Sequence, residues 1–157
     1  STLQTVIVAV HTPDGIVIYA NDWKFDEHPT FGRKTDYKRL KELGSNGKVV
    51  LLISDCTKIE HPGRTFSESI VNAMLRDLFH WMDGNDKLIV ATTFASHCAR
   101  IKTVLEMAVK LGRTPILIGR SINNYLKAST KAKLLDFSKY KISSYSSDKG
   151  TEIKVEK

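Results

Sequence analysis

The sequence predicts an α/β fold organised around a parallel sheet. Short apolar runs of strand length recur along the chain, helix-like segments follow the later runs, and polar turns separate the two. Residues 49–53 form the clearest run, which is entirely valine, leucine and isoleucine. Such a run is typical of a strand buried on both faces of a parallel sheet. We therefore expect strand–helix repeats with right-handed crossovers.

The first element in chain order is an antiparallel hairpin. Residues 3–10 and 15–20 are strand-like, and the turn between them places Pro13 and Gly15 where a type I turn favours them. An irregular segment follows, and a change of domain is predicted between Asp22 and Thr35.

The next elements form a helix, a strand and a second helix. Thr35 is the expected cap of a short helix over residues 36–43, which Gly44 ends. The 49–53 strand comes next and is expected to be covered on both faces. The S/T-x-x-E spacing of Thr65 and Glu68 predicts a capping box at the start of the following amphipathic helix.

Two further repeats complete the predicted sheet. Strands are expected at residues 88–92 and 115–118, followed by helices that end at Gly112 and near Leu135. A last strand is predicted over residues 140–145. The unit is then strand, polar turn and helix, repeated three times.

Composition bounds the function without defining it. The chain has 157 residues and a formal net charge of +7, which favours a polyanionic partner such as nucleic acid. No apolar run has membrane length and no signal peptide opens the chain, so a cytoplasmic protein without a membrane partner is expected. The two cysteines lack CxxC spacing and are expected to be reduced.

The carboxyl ends of parallel strands are where ligands bind in open α/β sheets. This places three pairs, Ser54 with Asp55, Ser96 with His97, and Arg120 with Ser121, near a predicted common rim. A helix amino terminus after each turn would favour an anion such as phosphate. Serines in these positions are also ordinary helix caps, and that interpretation stays open.

Two aspartates, Asp22 and Asp55, end strands and could carry chemistry. Each could be a turn former or a carboxylate placed for proton transfer or metal binding, and spacing alone does not decide between these roles. The sequence contains no HExxH, GxGxxG, GxxxxGK[ST] or GxSxG motif.

Five linked motifs resemble the ribonuclease J family, metallo-β-lactamase nucleases of the β-CASP group. The segment IYANDWKFD followed by GRKTD is similar to the family's TGDFKFD and GRKTD, and LISDCT to LLSDSTN. PGRTFSE is similar to RPGYTPSE, VATTFASH with the following Arg100 and Ile101 to VATFASN with RI, and IGRS to VGRS. These motifs occur in family order over nearly the whole chain.

The resemblance implies residue roles. Asp22 matches the aspartate that bridges two catalytic metal ions, usually zinc, and Asp55 matches the acidic motif that opens the β-CASP domain and supports the active site. The RNA-binding prediction covers five residues at the later strand ends: Ser96, His97, Arg100, Arg120 and Ser121.

The departures from the family motifs also lead to predictions. The HxHxDH metal motif and the later histidine motifs are absent, and Asn21 replaces a glycine. We therefore expect a hairpin and linker of the lactamase-like domain over residues 1–34 and a Rossmann-like β-CASP domain over residues 35–157. This fragment is expected to be inactive by itself and to bind no zinc alone.

For the intact protein the resemblance implies a metal-dependent ribonuclease, a 5′ to 3′ exoribonuclease that uses two zinc ions on single-stranded RNA. Two alternatives remain, a non-catalytic RNA-binding module and a small-molecule α/β enzyme that uses Asp55 as a base. The apolar hairpin also allows for a homodimer by exchange between chains.

Overall fold

The computed structural model describes residues 4–82, 84 and 87–145. It is an α/β chain with four helices and two small sheets in those residues. The chain divides into two compact units, Gln4–Ser69 and a second one that begins at Ile70. The predicted domain boundary at residue 34 stays a prediction.

The first unit is organised around a mixed three-stranded sheet. Strands β1 (Val8–Thr12) and β2 (Gly15–Ala20) form the expected antiparallel hairpin, and β2 then pairs in parallel with β3 (Val49–Ser54). The sheet order is β1-β2-β3. The hairpin and the central apolar strand therefore belong to one sheet.

The expected burial of β3 on both faces is wrong for this chain. Val50 is 61% exposed and Leu52 is 60% exposed, while Leu51 and Ile53 on the alternate face are about half exposed. An apolar run favours an extended strand, but burial depends on the layers that pack against it. The run itself does not specify those layers.

Helix α1 (Tyr37–Ser45) joins the hairpin to β3. Its cap is Asp36 and not the predicted Thr35, since the Asp36 carboxylate accepts a 2.9 Å hydrogen bond from the Arg39 backbone N–H. Both residue types cap helices, and the backbone dihedrals decide which one takes the position. The helix also continues one residue past Gly44.

The second unit contains a shorter sheet than predicted. Its elements are α2 (Glu68–Trp81, which starts in the first unit), α3 (Cys98–Lys110), β4 (Ile116–Ile118), α4 (Arg120–Lys131) and β5 (Ser143–Tyr145). Strands β4 and β5 pair in parallel. Residues 88–92 form no strand. The single parallel sheet expected from the repeats is thus replaced by two separate sheets in the described residues.

The core of the second unit lies between α3, α4 and the segment that follows α4. Leu105 and Cys98 of α3 are 1% and 0% exposed, and they pack with Leu126, Phe137 and Tyr140. Cys98 is a free buried cysteine and Cys56 a free exposed one. None of the helices in the described part of the chain is long and apolar enough to cross a membrane.

Candidate functional site

The structure brings Asp22 and Asp55 to one edge of the first sheet. Ala20 pairs with Ser54 at the carboxyl ends of the parallel strands β2 and β3, and the Asp55 N–H donates a 3.0 Å hydrogen bond to the Ala20 carbonyl. Asp55 directly follows β3 and Asp22 follows the end of β2 by two residues, so both come after the same end of the strand pair. This is the ligand-binding edge of a parallel strand pair.

Asp22 has an unusual backbone conformation. Its φ is +50°, in the left-handed region that non-glycine residues seldom occupy, and its side chain is exposed. Aspartate and asparagine enter this region at lower cost than other side chains because they hydrogen-bond locally. A conformation of this kind persists only where surrounding contacts fix it, and it occurs often at functional sites.

Asp55 forms a local turn with Thr57. One carboxylate oxygen accepts hydrogen bonds from both the Thr57 hydroxyl and the Thr57 backbone N–H, the latter at 2.9 Å. These two bonds hold the pKa of Asp55 below its ordinary value, against a smaller opposing effect of burial. Asp55 is therefore ionised at neutral pH and is better suited to hold a positive group than to exchange a proton.

The segment after Asp22 is fixed by aromatic side chains. The Trp23 indole N–H donates a 2.7 Å hydrogen bond to the Ser54 hydroxyl at the end of β3. The Trp23 ring lies 4.6 Å from that of Phe25, which in turn lies 5.4 Å from the Tyr37 ring of α1. These are ordinary distances for tilted aromatic pairs.

A cluster around Asp26 fixes the other end of this segment; apart from His28, its residues stand in two of the family motifs, which assign them no role. We call the residues Lys24, Asp26, His28, Ser67 and Glu68 the Asp26 cluster. The Asp26 carboxylate accepts hydrogen bonds from the Glu68 N–H at 2.8 Å, the Ser67 hydroxyl at 2.6 Å and the His28 N–H at 2.9 Å. The Lys24 ammonium lies 3.0 Å from the Glu68 carboxylate and 3.8 Å from that of Asp26.

The Asp26 carboxylate is buried, and its charge is compensated. Burial is the largest single influence on the pKa of Asp26 and raises it, but the three hydrogen bonds and the charge of Lys24 together outweigh it. The pKa therefore lies below its ordinary value, and the group is a stable buried anion. Sequence spacing gives no signal for it, since its partners at residues 67 and 68 lie about 40 positions away.

The same cluster corrects the predicted start of α2. The helix begins at Glu68, so Thr65 and Glu68 are not the two ends of a capping box. Instead, the first N–H of the helix, that of Glu68, donates a hydrogen bond to the Asp26 carboxylate, which lies in a distant part of the chain. The Ser69 N–H donates to the Ser67 hydroxyl at 3.3 Å. With the Asp26 carboxylate and the Glu68 side chain both at this terminus, the expected anion site between β3 and α2 is not what the structure shows.

The amino termini of α3 and α4 differ from that of α2. Neither helix has an acidic residue in its first turn. His97 is the residue that caps α3, with Ser96 before it and Arg100 in the first turn, and all three are partly exposed. The field of such a terminus favours an anion.

Arg120 and Ser121 are the first two residues of α4 and are exposed. Gly119 caps the helix with a φ of +126°, which suits glycine, and no side chain forms the cap. Neither Ser96 nor Ser121 is therefore the cap of its helix, and the capping interpretation is wrong for both. A shared rim of the α3 and α4 termini with Asp55 stays a prediction.

The described residues contain no group of three or more histidine, cysteine, aspartate or glutamate side chains able to hold a metal ion. Asp22 supplies a single carboxylate, whereas zinc is usually held by several ligands that include histidine or cysteine. The donor set in this part of the chain does not fit a two-zinc site by itself.

Comparison with known proteins identifies the family. Residues 85–154 match the model of the ribonuclease J β-CASP domain. Ribonuclease J of Pyrococcus abyssi is 45% identical over 78% of this chain, and that of Methanocaldococcus jannaschii is 40% identical over 85%. Ribonuclease J of Mycobacterium tuberculosis is 35% identical over 86%.

The aligned region covers 30% of the M. jannaschii protein, 27% of the P. abyssi protein and 24% of the M. tuberculosis protein, so the chain spans less than a third of these relatives. The similarity extends well beyond the residues of the domain model and includes the first unit. The resemblance inferred from the five motifs is confirmed. The chain therefore belongs to the ribonuclease J family, and residues 85–154 belong to its β-CASP domain.

Proposed function

We propose that this chain is the RNA-clamping part of an RNA-processing hydrolase that degrades single-stranded RNA from its 5′ end. The observation that carries the proposal is that Asp22 and Asp55 both follow the carboxyl ends of one parallel strand pair, in a chain related to ribonuclease J. Two carboxylates at such an edge suit a site for a cationic group and a phosphodiester.

In this proposal Asp22 contributes a carboxylate to the reaction centre. Zinc would polarise the scissile phosphate and activate water when bound, as metal-dependent hydrolases do. The described residues hold only part of the ligands such a centre needs, and the chain is expected to be inactive by itself. Asp55 is proposed to support the site as an anion whose direction is fixed by its two hydrogen bonds from Thr57.

RNA is proposed to bind through its phosphates at the amino termini of α3 and α4. Ser96, His97 and Arg100 would act at the first terminus, and Arg120 and Ser121 at the second. The net charge of +7 and the absence of acidic residues from both first turns support this. Contacts of this kind give affinity with little sequence preference. A cytoplasmic location and association into a dimer are further parts of the proposal.

The nuclease proposal is tested in the full-length protein with a single-stranded RNA labelled at its 3′ end. Asp22→Ala is expected to lower the cleavage rate by about 100-fold or more, because it removes a group from the reaction centre. Asp14→Ala, in the exposed hairpin turn, is the control and should leave the rate unchanged. Full activity of the Asp22 variant would refute the assigned role. RNA binding without cleavage by the wild type would favour the non-catalytic binding module.

The clamp is tested by RNA affinity over a salt series. Arg120→Ala should weaken binding and reduce the slope of log affinity against log salt by about 0.7, the value for one phosphate contact to a single strand. Lys110→Ala is a matched control, since it removes an exposed cation from the opposite end of α3. Equal effects of the two substitutions would contradict a contact specific to the α4 terminus.

A further inference from the structure

The segment from Asp22 to His28 is attached to the rest of the first unit at both ends. At its start, the Asp55 N–H is bound to the Ala20 carbonyl and the Trp23 indole to the Ser54 hydroxyl. At its end, the Asp26 carboxylate takes three hydrogen bonds, two of them from Ser67 and Glu68. Only three residues separate Asp22 from Asp26, so these attachments leave the intervening backbone little freedom.

The backbone of Asp22 needs such attachments. A non-glycine residue at a φ of +50° costs free energy relative to the extended or helical regions, and it relaxes when its neighbours allow it. Asp26 is 8% exposed and lies at the centre of the cluster, whereas the Asp22 side chain is exposed. The buried carboxylate thus supplies a fixed point for an exposed one on the same short segment.

We propose that Asp26 is a positioning residue, which fixes the direction of the Asp22 carboxylate by holding the following segment against Ser67 and the first N–H of α2. Asp26 itself contacts no substrate in this proposal. The inference rests on the proposed function, because it assigns Asp22 a place in the reaction.

The test uses Asp26→Asn in the full-length protein, assayed well below its unfolding temperature. Asparagine has the size of aspartate but replaces one acceptor oxygen with an NH₂ donor, so at least one of the three hydrogen bonds must be lost. Cleavage of single-stranded RNA should show a kcat about 10- to 100-fold lower, as expected for a misplacement near 1 Å, with KM for RNA unchanged. KM is expected to stay constant because the residues proposed to bind RNA are not altered.

Two further variants separate positioning from a general loss of stability. Ser67→Ala removes one of the three bonds to Asp26, together with the one from the Ser69 N–H, and should also lower kcat. In the double variant the two effects should add to less than their sum, because the Asp26–Ser67 bond is common to both. Thr103→Ala is the matched control. It breaks the 2.6 Å bond from Asn72 in the second unit and leaves residues 22–28 untouched.

Amide hydrogen exchange over residues 22–28 provides a readout that does not depend on activity. Faster exchange in Asp26→Asn than in Thr103→Ala, together with the fall in kcat, supports the proposal. A kcat equal to that of the wild type, or a fall matched by Thr103→Ala, overturns it. If Asp26→Asn does not fold, Ser67→Ala decides by the same two measurements. Absence of RNA cleavage by the wild type would instead refute the proposed function.

Discussion

Replacing Gly15 with alanine should disrupt the sheet that carries Asp22 and Asp55. Gly15 begins β2 at a φ of +143°, and a methyl group on it would lie 2.6 Å from a Val50 methyl and 2.7 Å from the Lys48 carbonyl oxygen. Real side chains do not approach so closely. The Ile16 N–H donates to the same carbonyl at 2.7 Å, so the backbone cannot move apart without losing a hydrogen bond.

The expected cost is the sum of two effects. Overpacking of this kind costs about 1–3 kcal/mol, and an alanine at positive φ adds roughly 1 kcal/mol. Alanine also lowers the conformational entropy of the unfolded chain, which offsets about 0.4–1 kcal/mol of this destabilisation. The free energy of unfolding should therefore fall by about 1–4 kcal/mol, and Tm by roughly 2–14 °C for a chain of this size.

Two other glycines serve as matched controls in thermal or urea unfolding followed by circular dichroism. Gly47 has a φ of +66° and open space around it, so the same two backbone effects nearly cancel and Gly47→Ala should cost less than about 1 kcal/mol. Gly44 lies within α1 with open space and no positive φ, so Gly44→Ala should stabilise by about 0.5 kcal/mol.

The double variant Gly15→Ala/Val50→Ala separates the two close contacts. It should recover part of the loss, because it removes the methyl contact and leaves the one with the Lys48 carbonyl. Gly15→Ala no more destabilising than Gly47→Ala would refute the close approach of the hairpin turn to β3.

Asp26, Leu105 and the two cysteines allow tests of pH dependence, core packing and thiol accessibility. Because the pKa of Asp26 is lowered in the folded chain, its stabilising effect is complete above the unfolded pKa and is lost as the pH falls through the folded pKa. The difference in free energy of unfolding between wild type and Asp26→Asn, measured from pH 7 to 2, should therefore narrow below about pH 4. Leu105→Ala should lower the free energy of unfolding by about 2–5 kcal/mol in urea titrations, since Leu105 is 1% exposed in the core of the second unit; exposed Val109 gives the control Val109→Ala, which should cost far less. Iodoacetamide should label Cys56 in the native chain and leave Cys98 unlabelled until unfolding, which mass spectrometry of the peptides would show.

Local sequence signals predicted the elements whose cause is local. The hairpin between residues 8 and 20 has its turn residues within four positions of each other, and α1, α3 and α4 each follow from apolar spacing and nearby stop residues. The family motifs were also sufficient to recognise the ribonuclease J family, because several linked motifs in a fixed order can be identified without any knowledge of the fold.

The pairing of strands could not be derived in the same way. Residues 88–92 have strand composition but form no strand, since a strand also needs a neighbour with free N–H and C=O groups in register. In contrast, the sequence predicts β2 only as part of a hairpin, whereas in the structure it also pairs in parallel with β3. Strand propensity is local, whereas a hydrogen-bonded ladder joins segments distant in the chain.

The candidate site shows the same division. The sequence by itself determined that Asp22 and Asp55 are carboxylates at strand ends in a chain of the ribonuclease J family. Only the tertiary structure placed them at one edge, gave Asp22 its left-handed backbone and joined Asp26 to the start of α2 across about 40 residues. Residue type fixes which groups can carry charge, but burial and hydrogen bonding depend on segments that meet only in the folded chain.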